Sequence, residues 1–158
     1  MNMSPDANPY ELEFSEYRQA REQFWDQANG ATSHSWGAYY QKKLAHVYQN
    51  IIPSDCKVLE LGCRNGALLH ALKPSLGVGV DFSEQALIKA RKLYPHLQFV
   101  HMDAHQLHLG DDVFDYIVIS DLVNDLWDVQ TVLESIRPYC HAETVSYTHL
   151  TLPTKRIV

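Results

Sequence analysis

From Lys57 to Ile136 the chain alternates short apolar runs with segments of helical pattern, and a proline closes each helical one. The runs are KVLEL, LGVGV, LQFVH and VFDYIVIS. The helical segments are GALLHAL before Pro74, SEQALIKARKLY before Pro95 and DVQTVLESI before Pro138. Short runs of β-formers bounded by turn residues read as strands, and Ser83 is placed to cap the second helix. Strands joined through helices pair in parallel by right-handed crossovers. The alternation therefore predicts a layered α/β domain built on four parallel strands.

Two amphipathic helices precede the alternation. Phe14, Tyr17, Phe24 and Trp25 recur at helical spacing between Glu11 and Ala28. Trp36, Tyr40, Leu44, Val47 and Ile51 mark one face of a second segment, Ser35 to Ile52, which Pro53 ends. Phe24, Trp25 and Trp36 read as packing residues. Met1 to Pro9 reads as a loose leader, so residues 1–34 divide into leader and helix, and 35–144 form the main domain. The segment VSYTHLTLPTKRIV, residues 145–158, alternates at Val145, Tyr147 and His149 as a strand would. It also resembles the translated sequencing-adapter tail that ends many reading frames assembled from metagenomic data. On that reading it is non-native and the natural sequence departs near Thr144.

The chain has 158 residues, enough for one domain with a core of its own. A net charge of −6 without a Lys/Arg cluster argues against nucleic acid as partner. Cys56, Cys63 and Cys140 form no CxxC pair and suit reduced thiols. There is no signal-peptide pattern and no apolar run able to span a bilayer, so membrane insertion is not expected and the chain reads as cytoplasmic.

The first strand ends in Gly62-Cys63-Arg64-Asn65-Gly66 and passes straight into a helix. A glycine there lets the chain turn tightly and lets a ligand touch backbone. In open parallel sheets ligands bind beyond the carboxyl ends of the strands. Asp81 follows the second strand, 19 residues after Gly62, where a carboxylate can accept both hydroxyls of a ribose. Asp103-Ala104 follows the third, an acid beside a small residue, suited to the polar edge of adenine. His101, His105 and His108 lie in a polar loop without a cysteine, and we assign no metal to them.

Taken in order, VLELGCRNGALL, GVGVDFS, FVHMDAHQL and FDYIVISDLVNDLWDV resemble the successive motifs of class I S-adenosylmethionine-dependent methyltransferases. The resemblance implies a Rossmann-like three-layer sandwich with a mostly parallel sheet, a helical N-terminal cap, and a cofactor, S-adenosyl-L-methionine. On this resemblance the C-terminal strands of the methyltransferase fold are missing, which leaves the fourth strand at an edge. Glu60, Gly62, Cys63 and Gly66 would shape the methionine end of the pocket. Asp81 would hold the ribose and Phe82 would flank the adenine. Asp103 and Ala104 would meet the adenine's polar edge, Ser120 would form the floor beneath the sulfonium, and Tyr40 would close over the methionine moiety. Asp121, Asn124 and Asp125 are candidates for a general base or for ordering a water. DLVNDLWDVQ further resembles a bacterial branch found beside, or fused to, glycosyltransferase domains. The implied acceptor is a glycan or small molecule, and the implied partner a glycosyltransferase.

One residue departs from the family pattern: glycine is usual where Arg64 stands. Its side chain would either crowd the cofactor or reach the cofactor carboxylate. An NAD-dependent oxidoreductase is the rival enzyme, because an acid after the second strand also serves NAD. Arg64 breaks that fingerprint too, and Glu60 would oppose a pyrophosphate, whereas a sulfonium and an ammonium are attracted by acids. A cofactor-binding fragment without turnover is the non-enzyme alternative.

Overall fold

The computed structural model describes residues 9–30 and 35–149 of the chain. The leader apart from Pro9 and the last nine residues, 150–158, lie outside the described residues, as do most of the connection NGATSH and the side chain of Trp36. Two helices, α1 (Pro9–Gly30) and α2 (Ser35–Gln49), precede the sheet. They are followed by β1 (Lys57–Leu61), α3 (Ala67–Leu72), β2 (Leu76–Asp81), α4 (Glu84–Leu93) and β3 (Gln98–His101). Next come β4 (Phe114–Ser120), a 3-10 turn at Val123–Asp125, α5 (Val129–Ile136) and β5 (Cys140–His149).

The strands form one sheet in the order β3-β2-β1-β4-β5, and every pairing is parallel. The expectation of four strands needs correcting. β5 pairs along β4 from Phe114 to Ser120, with an irregularity between Phe114 and Tyr116, so β4 is an inner strand and not an edge. Segment 140–149 carries the alternating β-formers that such pairing needs, and it satisfies main-chain groups that β4 would otherwise leave bare.

Alternation along the strands sends side chains to two cores. In β1, Val58 joins Leu44, Tyr48, Leu69, Leu87 and Phe99 on the α2/α3/α4 face. Leu59 and Leu61 join Ile117, Ile119, Val132 and Ile136 on the α5 face. Both faces of the sheet are thus covered, which gives three layers. The α2 face differs from the expected one. Leu44, Tyr48 and Ile52 are buried, while Val47 and Ile51 are exposed. Steps of four along the helix join Leu44 to Tyr48 as the stripe the sheet buries, and Ile52 enters the same core from the turn that follows α2.

Capping residues fix where the helices begin. Ser83 Oγ accepts the Ala86 N–H at the start of α4, and Asp128 Oδ1 accepts those of Gln130 and Thr131 at the start of α5. Strand order runs outward to β2 and β3 on one side of β1 and to β4 and β5 on the other. The reversal lies between β1 and β4, and a crevice opens beyond their carboxyl ends. No helix among the described residues is long and apolar enough to cross a membrane.

Candidate functional site

The loop after β1 is held by three left-handed residues, Gly62 (φ +72°), Arg64 (φ +51°) and Gly66 (φ +74°). The N–H groups of Gly62 and Cys63 both donate to Val80 O, and Gly66 N–H donates to Cys63 O. The loop is therefore tied to β2 before any side chain is considered. A Cβ on Gly66 would stand 2.5 Å from the Phe99 ring, so the glycine there admits β3's aromatic beneath the loop.

Asp81 completes the tie. Its Oδ2 accepts the Arg64 N–H and its Oδ1 the Ser83 N–H, each at 2.8 Å. Burial raises its pKa even so, with those two N–H groups and the Arg64 charge acting in the opposite direction. For Asp103 the balance runs the other way. Burial pushes its carboxyl up, but the ring N–H and backbone N–H of His105 outweigh that and hold it below the usual carboxylate range. His105 in turn accepts the Asp128 N–H on its other ring nitrogen, which fixes the tautomer with hydrogen on Nδ1.

Asp81, Phe82, Asp103 and Ala104 open onto one hollow of about 470 Å³, together with Gly62 and Leu122. A second hollow of about 420 Å³ adjoins it and is lined by Gly62, Arg64, Asp81, Phe82, Ser120 and Asp121, among others. Seen along the sheet, the first hollow lies over β2 and β3 and the second over β1 and β4.

Glu60 lines neither hollow. It is 4% exposed beneath the loop and accepts the N–H of Leu69 in the first turn of α3. Its Oε2 has no hydrogen-bond partner among the described residues. Burial, with Asp81 nearby, pushes its pKa up to about 8. Cys63 sits behind the turn: its side chain is buried in the α2/α3 core and packs over Gly79, its main-chain N–H donates to Val80 O of β2 and its C=O accepts the Gly66 N–H. It contributes shape to the turn and no free group to a ligand. Gly66 likewise acts from below. Tyr40 stands at one remove: its hydroxyl donates to Asp121 Oδ1 at 2.9 Å.

The three candidates after β4 differ in what they offer. Asp121 sits at φ +56° and faces the second hollow. Asn124 is exposed. Asp125 is engaged by α1: the Arg21 guanidinium forms an ion pair with its carboxylate, and the Tyr17 hydroxyl donates to its carbonyl.

Sequence reasoning did not foresee this role for α1. Phe14, Tyr17, Arg18 and Arg21 line the first hollow and Trp25 the second. Their helical spacing was legible, but the surface they cover was not. Trp25 packs as expected, and the Arg64 guanidinium lies over its ring at 5.3 Å. Phe24 does not pack as expected; it is exposed, beside the Trp25 ring and the Arg21 guanidinium. The three loop histidines separate: His101 bonds Phe82 O, His105 bonds Asp103, and His108 bonds Gln106 O.

Comparison with known proteins agrees with this architecture. A family model described as a methyltransferase domain matches residues 58–142. A phosphatidylethanolamine N-methyltransferase of Cereibacter sphaeroides is 31% identical over 91 residues, covering 53% of this chain and 45% of that protein. The chain thus spans less than half the length of this relative. Among solved structures, the PH0226 protein of Pyrococcus horikoshii OT3 superimposes with a TM-score of 0.64 at 22% identity, over 73% of this chain and 58% of that one. A Methanococcus maripaludis protein, proposed to be an S-adenosylmethionine-dependent methyltransferase, does so with a TM-score of 0.65 at 20% identity, over 93% and 67%. The chain that carries this domain on this sheet belongs to the S-adenosylmethionine-dependent methyltransferase family.

Proposed function

We propose that the two adjoining hollows bind S-adenosyl-L-methionine and that the protein transfers its methyl group to an acceptor. The observation that carries this reading is the pair Asp81 and Asp103, which open onto one hollow beside the Gly62 turn. Asp81, already oriented by two backbone N–H groups, has lone pairs left for a ribose diol. Phe82 supplies an aromatic flank, and the Asp103-Ala104 pair faces the place for an adenine edge. The carboxylates of Asp81, Asp121 and Asp125 lining the second hollow favour this ligand over a dinucleotide, because acids attract a sulfonium and an ammonium and oppose a pyrophosphate.

Bound S-adenosylmethionine supplies an electrophilic methyl on a sulfonium, which is a good leaving group. What remains for the chain is to hold the two reactants in line and keep water away. Ser120 and Asp121, at the end of β4, face the second hollow, where the acceptor would approach. Asp121, steadied by the Tyr40 hydroxyl, is better placed than Asp125 to take a proton from the acceptor, since Asp125 is held by Arg21. For the acceptor we favour a small molecule or glycan, supported by the sequence resemblance to the branch that accompanies glycosyltransferases. A phosphatidylethanolamine methyltransferase among the relatives keeps an amine acceptor open to the same assay.

Isothermal titration with S-adenosylhomocysteine tests the binding half of the proposal. Saturable one-to-one binding is expected, and its absence would remove the cofactor reading. Methyl-transfer assays against amine and glycan acceptors then separate an enzyme from a cofactor-binding domain without turnover.

A further inference from the structure

We propose that Arg64, the residue standing where the family usually has glycine, is the anchor for the α-carboxylate of the cofactor's amino-acid end; this rests on the cofactor reading above. The second hollow, at the β1 and β4 side, is lined by three acids: Asp81, Asp121 and Asp125. Asp125 is paired with the Arg21 guanidinium. An amino-acid moiety entering this hollow would therefore bring its carboxylate into a negative surface. Arg64 is the lining residue of this hollow that carries positive charge. It forms no ion pair within 4.0 Å among the described residues, so its guanidinium is left to meet an incoming anion.

Two further features hold that guanidinium in place. Trp25 of α1 lies beneath it, with the charge centre 5.3 Å from the ring, a geometry that orients the planar fork without consuming its N–H donors. The backbone sits at φ +51°, a region costly for a side chain-bearing residue, yet the chain keeps an arginine there. That same conformation lets the Arg64 N–H reach Asp81 while the side chain swings out over the hollow toward α1. Arg64, above the hollow, then takes the carboxylate in a bidentate, charge-assisted contact.

The test compares two thioether ligands, S-adenosylhomocysteine and its decarboxylated analogue, which keeps the amine. Both are titrated into the wild-type chain, into Arg64→Gln, and into Arg64→Gly, which relieves the left-handed backbone and guards against a folding defect. Loss of the guanidinium should weaken S-adenosylhomocysteine by roughly 10- to 100-fold in both variants, the range of one charge-assisted contact, and leave the decarboxylated ligand within about twofold. Equal weakening of both ligands would make Arg64 a purely structural residue and overturn the assignment, as would no weakening of either. A wild-type chain that binds neither ligand overturns the cofactor reading and this inference with it. A wild-type chain that binds both equally, with variants that change nothing, overturns only the inference.

Discussion

The Arg64 N–H and the Asp81 carboxylate meet at 2.8 Å, so the glycine-bearing turn after β1 and the tip of β2 move as one piece. The residue proposed to read the ribose is therefore also the residue that shapes the loop. Replacing Asp81 with Ala removes both functions. We expect a loss of roughly 1.5–3 kcal/mol in S-adenosylhomocysteine binding and about 1 kcal/mol in stability. Asp81→Asn keeps one acceptor oxygen and should recover most of the stability but little of the binding. Calorimetric titration and thermal melts of the two variants check this. Parallel losses in both quantities for Asp81→Asn would mean that Asp81 serves only the loop.

Glu60 gives a prediction in pH. Its folded pKa of about 8 lies above that of an unfolded glutamate, so the folded state holds the extra proton between the two values. Stability should accordingly fall as pH rises from about 4.5 to 8, and Glu60→Gln should cancel that slope. At about pH 9 the glutamine variant should be the more stable one, by an amount on the order of 2–4 kcal/mol. Chemical denaturation of the wild type and of Glu60→Gln between about pH 4.5 and 9 checks both, and equal slopes in the two proteins would remove Glu60 as their source.

The sequence made β1 to β4 legible because strand and helix periods alternate cleanly between Lys57 and Ile136. It also placed Asp81 and Asp103 at strand tips, since a parallel sheet puts all its carboxyl ends on one edge. Contacts between distant segments were not legible. The α1 face of Phe14, Tyr17, Arg21 and Trp25 shows its period in sequence but not its partner, which is the cleft. Arg21 and Asp125 are 104 residues apart, and no local pattern pairs them. The direction of the Cys63 side chain was not legible either, because its place in a loop motif says nothing of it; in the structure it follows the left-handed Gly62 and enters the core. Val145, Tyr147 and His149 carry strand alternation inside the segment 145–158 that resembles an adapter tail; β5 itself runs from Cys140 to His149, and its pairing along β4 is a long-range contact that alternation does not name.

Gly66 should tolerate no side chain. An added methyl would lie 2.5 Å from Phe99 Cζ and would have to adopt φ +74°. Overpacking against a buried ring and a left-handed backbone each cost on the order of 1–3 kcal/mol, so Gly66→Ala should lower stability by about 2–5 kcal/mol. Phe99→Leu vacates part of the space and should restore some of that loss in the double variant. Chemical denaturation of the four proteins forms the cycle. Additive losses would show that the ring is not the obstacle, leaving backbone strain alone.

The last prediction concerns α1, which reaches the cleft through a few polar contacts and a face of aromatic side chains. The Arg21 guanidinium on Asp125 and the Tyr17 hydroxyl on the Asp125 carbonyl fasten it to the turn that follows β4. Both members of the ion pair are largely shielded, at 27% and 19% side-chain exposure, so salt should screen it only in part. Arg21→Ala should speed amide exchange along α1 while leaving β1 and β4 protected, because the two cores do not depend on this helix. A double cycle with Asp125→Asn should return a coupling of about 0.5–2 kcal/mol. Since Arg21 and Tyr17 also line the first hollow, a loosened helix should raise the association and dissociation rates of S-adenosylhomocysteine together, with a smaller change in affinity. Stopped-flow fluorescence from Trp25 and Trp127, the latter in contact with Tyr17, can follow both rates. Unchanged exchange in α1 together with unchanged rates would mean that the aromatic face alone holds the helix down and that the ion pair contributes nothing to closure.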